Sequence, residues 1–196
     1  MAEGAIRIPE VTSPEQIITS YNLEQYLNPI KQWGINIEFR NYPPAIDRLG
    51  RERFSLIAGF DSRRKALIID EAALRESPEM IKVAIFHEFF HIEAFRNLTY
   101  SNNPRLLGIE RIREYIREEI EARRFASNLA KKINQSDFGQ MEEADFLETL
   151  LAKAERPDEL LDILSRHLKL DEKHILLLLY PETVGSFQTE PDRLLG

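Results

Sequence analysis

His87, Glu88 and His91 combine the residue types and the spacing that can hold a metal ion beside a base. Successive residues of a helix turn by about 100°, so positions four apart stack one turn above the other with an offset of about 40°. Both imidazoles can then reach one ion from the same side. Glu88 adjoins the first histidine and lies three residues before the second, a place suited to taking a proton from a water that the ion activates rather than to being a third ligand on the same helix. The pattern is H-E-x-x-H, and it contains two of the four histidines in the chain.

The element that must carry these groups is the stretch PEMIKVAIFHEFFHIEAFRNL, residues 78–98. Ser77 and Pro78 supply an N-cap and first-turn pair, Glu79 lies in the first turn, and no Gly or Pro interrupts the later turns. Met80, Ile81, Val83, Ala84, Ile85, Phe86, Phe89, Phe90, Ile92 and Phe95 put apolar side chains on nearly every turn, which predicts a central, largely buried helix. Imidazoles and a carboxylate in such a helix are costly unless they have partners, and a metal ion partners all of them at once.

Two histidines are too few for a catalytic zinc, which typically takes three protein ligands and keeps one position open. The longer pattern that supplies a third histidine from the same segment is absent, because Ala94 and Asn97 stand at its Gly and His positions. The third ligand must come from another element. A long helical pattern occupies about residues 107–134, with Ile109, Ile112, Ile116 and Ile120 on one stripe and Ala122, Phe125, Ala126, Leu129 and Ile133 on another. Glu118 and Glu121 fall on the side of Phe125 and Leu129, so they are the inward candidates, Glu121 first. Glu114 and Glu119, in the charged run REYIREEIEARR, read as solvated groups paired with Arg three or four residues on.

A chain of 196 residues suffices for one domain with a sizeable core and a small appendage. With no cysteine, a metal must be held by His and carboxylate, and the composition fits a reducing cytoplasm. The N-terminal residues lack a basic region followed by an apolar run, and the longest apolar run, residues 175–180, is too short to span a bilayer. A soluble, cytoplasmic protein is expected, without a membrane partner. The net charge of −7 is uneven: residues 1–135 hold 20 basic against 19 acidic side chains, and residues 136–196 hold 6 against 14. Direct nucleic-acid binding is therefore not expected, although Arg63, Arg64 and Lys65 form a local basic cluster.

Upstream of the motif, Ser13 to Gln16 start a short amphipathic helix, and a second helical stretch over residues 23–33 contains Pro29, expected to kink or restart it. Ile35, Ile37 and Phe39 alternate with polar residues as in a half-buried strand. Apolar runs at residues 54–60 and 66–69, joined by Asp61-Ser62-Arg63-Arg64, predict a hairpin feeding the metal helix. The implied fold class is α+β, a small antiparallel sheet packed on a central HExxH helix. Residues 141–154, 157–168 and 171–180 read as three further helices, the last two resembling a helix-turn-helix whose acidity favours packing or partner docking over DNA. Residues 182–196 lack periodicity and are expected to be a loose tail.

His87-Glu88-Phe89-Phe90-His91, followed thirty residues later by Glu121-Ala122-Arg123-Arg124-Phe125-Ala126-Ser127-Asn128-Leu129, resembles the ImmA/IrrE family of metallo-endopeptidases, in which an HExxH helix precedes a second helix with an E-A-x-x-F-A-x-x-L pattern. The order of upstream elements is similar too, and the resemblance covers roughly residues 15–135. It implies a thermolysin-like minimal zinc-peptidase core at residues 1–135, with a helical C-terminal subdomain at 136–181. It also implies zinc as cofactor, His87, His91 and Glu121 as metal ligands, Glu88 as the catalytic base, and a protein substrate, often a transcriptional repressor. Phe89-Phe90 stands where members often have Leu-Gly, so packing behind the site is bulkier. Phe125 stands where a thermolysin-type site favours an acidic residue, so support for the ligands must come from another group.

The expected activity is endopeptidase cleavage of a protein partner, with the substrate laid as an added strand along the sheet edge. Tyr100, Tyr115, His167 and His174 are the residue types available to stabilise an oxyanion. The competing expectation is a non-catalytic, metal-stabilised interaction module in a regulatory or toxin–antitoxin pair. A retained base at Glu88 favours the enzyme.

Overall fold

The computed structural model describes residues 13–46, 52–53, 57–99, 103, 105 and 107–179. Two short helices come first, α1 (Pro14–Ser20) and α2 (Glu24–Gln32). The Ser13 hydroxyl accepts the Gln16 N–H at the head of α1, as an N-cap should. Pro29 lies inside α2, which runs on without a restart. Gly34, with φ +75°, turns the chain into β1 (Asn36–Arg40), a conformation that a side chain would strain.

The strands β2 (Ala45–Ile46) and β3 (Glu52–Arg53) form a small antiparallel pair of their own, and β4 (Ala58–Asp61) and β5 (Ala66–Asp70) form the expected hairpin. The Asp61 carboxylate accepts the N–H groups of Arg63 and Arg64, and Lys65 takes a left-handed φ of 49°, which together close the turn. The sheet differs from the expected antiparallel one. Its order is β1-β5-β4, with β1 parallel to β5 and β4 antiparallel to it. β5 is central, and all five of its residues are buried, which is why residues 66–69 are a continuous apolar run and not an alternating one.

The hairpin does not run straight into the metal helix. Asp70 caps α3 (Glu71–Glu76) by accepting the Ala73 N–H, and only then does α4 (Pro78–Asn97) begin. α5 (Gly108–Lys132), α6 (Gln140–Lys153), α7 (Pro157–Asp162), a π-helical turn at Ile163–His167 and α8 (Glu172–Leu179) complete the order. The fold class is α+β, as expected. Among the described residues, no helix is long and apolar enough to cross a membrane. The tail expected at 182–196, Tyr100 and the first residues of the 54–60 run lie outside the described residues.

Two compact units divide the described residues, one holding those up to Ile92 together with Asn128–Phe138, the other holding Glu93–Ser127 and those from Gly139 on. Both α4 and α5 are continuous through the division. The core of the first unit joins Leu27 and Ile30 of α2, Leu67 and Ile69 of β5, Leu74 of α3 and Ile81, Ile85 and Ile92 of α4, all of them fully buried. Phe86 meets the edge of Tyr26, and Phe89 packs on Trp33 at 4.8 Å between ring centres, so the bulk of these phenylalanines is taken up inside this unit. The core of the second unit joins Ile112, Ile116 and Ile120 of α5 to Leu147 of α6, Leu160 of α7 and Leu164.

Candidate metal centre

The apolar turns of α4 fix the rotation of that helix. With Ile81, Ile85 and Ile92 turned into the core, His87, Glu88 and His91 are left half-buried. The two imidazoles meet through their Nε2 atoms, 3.0 Å apart. Two ligands of a tetrahedral zinc, each about 2.0–2.1 Å from the ion, stand about 3.3 Å from one another, so this spacing is close to that of a shared ion.

His87, His91 and Glu119 each offer a ligand atom, and these atoms all lie within 4.8 Å of one another. Two imidazole nitrogens and a carboxylate oxygen form a donor set that could hold a metal ion. Glu119 is buried, 8% exposed, where a carboxylate needs a charged partner. It has one in Arg123, whose Nη1 donates both to its carboxylate and, at 2.9 Å, to its own main-chain oxygen.

The third member of this group is thus Glu119 and not the expected Glu121. The side chain of Glu121 is 45% exposed and is paired with Arg124 at 3.4 Å. The reason is angular. Glu119 and Glu121 are two residues apart, about 200° around the helix, so one face cannot present both. Glu118 is buried at 2% exposure but is not among the three. The expectation that Glu119 pairs with the arginine four residues on holds, whereas the expectation that it is solvated does not.

A signal for Glu119 was present in the spacing. It stands seven residues after Ile112 and seven before Ala126, each offset by only about 20°, and both of those residues are fully buried. The stripe of Ile112 and Ile116 therefore continues through Glu119 toward Ala126. Reading two opposed stripes for the two halves of α5 hid that continuity.

Glu88 is tied to the sheet. Its Oε2 accepts the main-chain N–H of Phe60 at 2.8 Å. Asp70 donates its N–H to Ile57, and from that pair the antiparallel alternation leaves the N–H and C=O of Ala58 and Phe60 facing away from β5, on the side where Glu88 meets Phe60. The carboxylate thus sits at the β4 side of the described sheet.

Of the residue types considered for an oxyanion, His167 is exposed and meets the edge of Phe146, His174 is exposed and bonds Asp171, and Tyr115 packs on the core of the second unit. Of the basic cluster, Arg64 is paired with Glu38 at 2.9 Å. Comparison with protein-family models, with curated proteins and with solved structures gives no match.

Proposed function

We propose that the chain is a zinc-dependent endopeptidase that cleaves a protein partner in the cytoplasm, the partner class implied by the family resemblance being a transcriptional repressor. The observation that carries this reading is the convergence of His87, His91 and Glu119 on one small volume, with Glu88 adjoining His87 in the chain. When bound, zinc supplies a Lewis acid that polarises the scissile carbonyl and makes a water nucleophilic near neutral pH. His87 and His91 would hold it, and Glu119 would add the negative charge that the imidazoles lack. Glu88 accepts the proton of the attacking water and passes it to the leaving amine. The β4 edge of the sheet receives the substrate as an added strand, with the main-chain groups of Ala58 setting its register beside the Phe60 N–H that Glu88 holds.

One observation favours a second reading, a metal-stabilised module that binds its partner without cutting it. Glu88 already has a structural task, because its bond to Phe60 ties α4 to β4, and so its presence does not by itself call for catalysis. The two readings separate when the zinc-loaded protein is incubated with the protein encoded by the neighbouring gene and the products are analysed by mass spectrometry. Discrete cleavage that stops on chelation and returns with zinc supports the peptidase. A stable complex with an intact partner supports the module.

A further inference from the structure

Arg123 lies between two carboxylates. Its Nη1 donates to the carboxylate of Glu119 and, at 2.9 Å, to the Glu119 main-chain oxygen, while its Nε donates to Oε2 of Glu143 on α6 at 3.2 Å. Its side chain is only 14% exposed and that of Glu119 only 10%, whereas that of Glu143 is 61% exposed. The planar guanidinium presents its donors in a fixed fork, so three acceptors leave it, and the carboxylate it holds, little freedom to turn. Burial alone would lower the pKa of Arg123, but the charges of Glu119 and Glu143 outweigh this and hold it above its ordinary value.

From this geometry we infer that Arg123 is the positioning residue for the metal ligand Glu119, holding its carboxylate toward His87 and His91 and anchoring it through Glu143 to α6. The inference rests on the metal centre proposed above. With Glu119 as the ligand, the position four residues on is Arg123 itself, so the support for the carboxylate comes from a cation on the same helix. Groups that orient a ligand from behind are typically worth tenfold to a hundredfold in metal affinity, by roughly that measure.

Charge alone predicts the opposite sign. A cation beside the site repels a dication, so its removal would tighten zinc if electrostatics were the whole effect. A ready control lies one residue on, where Arg124 pairs with Glu121 on its own helix and bridges the same two helices through Asp145 and Glu148. Any general loss of α5–α6 pairing should appear equally in both arginine variants.

The test is a zinc titration of the full chain against a chromophoric chelator, with the cobalt absorption spectrum as a second readout of ligand geometry. Arg123→Gln is expected to bind zinc about tenfold to a hundredfold more weakly than wild type and to give an altered cobalt spectrum, while Arg124→Gln matches wild type in both. Arg123→Lys, which keeps the charge but not the fork, carries the same expectation should the glutamine variant not fold. Wild-type affinity and spectrum in the Arg123 variants, or tighter binding, would overturn the inference while leaving the metal centre standing. Failure of the wild-type chain to bind zinc at all would overturn both.

Discussion

Replacing Glu88 by Gln separates what that side chain holds from what it does. Glutamine has the same length and can still accept the Phe60 N–H through its amide oxygen, so the 2.8 Å bond to β4 survives without its charge. A bond to a charged group is worth about 1.5–3 kcal/mol and a neutral one about 0.5–1.5 kcal/mol, so the loss of stability is about 1 kcal/mol. In a chain of this size that lowers the melting temperature by about 2–4 °C. Zinc content is unchanged, because Glu88 is not one of the three clustered ligands. Hydrolysis should nevertheless fall by about 10²–10⁴, the usual contribution of a general base. The assay pairs elemental analysis and thermal unfolding with the rate of partner cleavage. A variant that keeps its zinc and its fold and still cleaves at the wild-type rate would refute the role of Glu88 as base.

Leu67 is fully buried in the central strand β5, and Leu67→Ala should cost about 2–5 kcal/mol of unfolding free energy in a urea titration; a change under 1 kcal/mol, roughly, would mean that the sheet is not the core of its unit. A Cβ at Gly34 meets nothing within 4 Å, so Gly34→Ala should lose only the backbone strain of a side chain at φ +75°, about 1–2 kcal/mol, measured in the same way. Asp171 accepts the His174 N–H and bonds its ring at the head of α8, and these bonds, the main-chain one foremost, hold its pKa below the ordinary value of 3.8. A depressed carboxylate contributes stability that is present above its unfolded value and is lost as pH falls through the lower, folded one. The stability gap between wild type and Asp171→Ala should therefore close as the solution is made more acid than about pH 4, and a gap that instead opens with acid would reverse this assignment.

The helices were the most legible part of the chain. The cap at Ser13, the helix start at residue 157 and the apolar run of α4 are local signals, and they fall within a residue or so of the observed ends. The parallel pairing of β1 with β5 is a non-local choice that strand patterns do not carry, because Ile35, Ile37 and Phe39 look the same beside either neighbour. The short α3 was missed because EAALRE sits between a strand and a stronger helix, and its capping residue, Asp70, reads equally well as the end of the strand. At the site, His87, Glu88 and His91 were legible because their spacing is itself the geometry. The carboxylate from the next helix was not, since that helix carries four glutamates within eight residues, and only the buried neighbours seven residues to either side of Glu119 distinguish it.

A metal centre made of His87, His91 and Glu119 is tested by the zinc affinity and stoichiometry of wild type beside His91→Ala, Glu119→Gln and Glu121→Gln. One zinc per wild-type chain is expected, with its loss in His91→Ala, wild-type affinity in Glu121→Gln, and a fall in Glu119→Gln greater than the roughly hundredfold ceiling for a group that only supports a ligand. Full occupancy in Glu119→Gln together with loss in Glu121→Gln would contradict it and return the third ligand to the exposed face of α5.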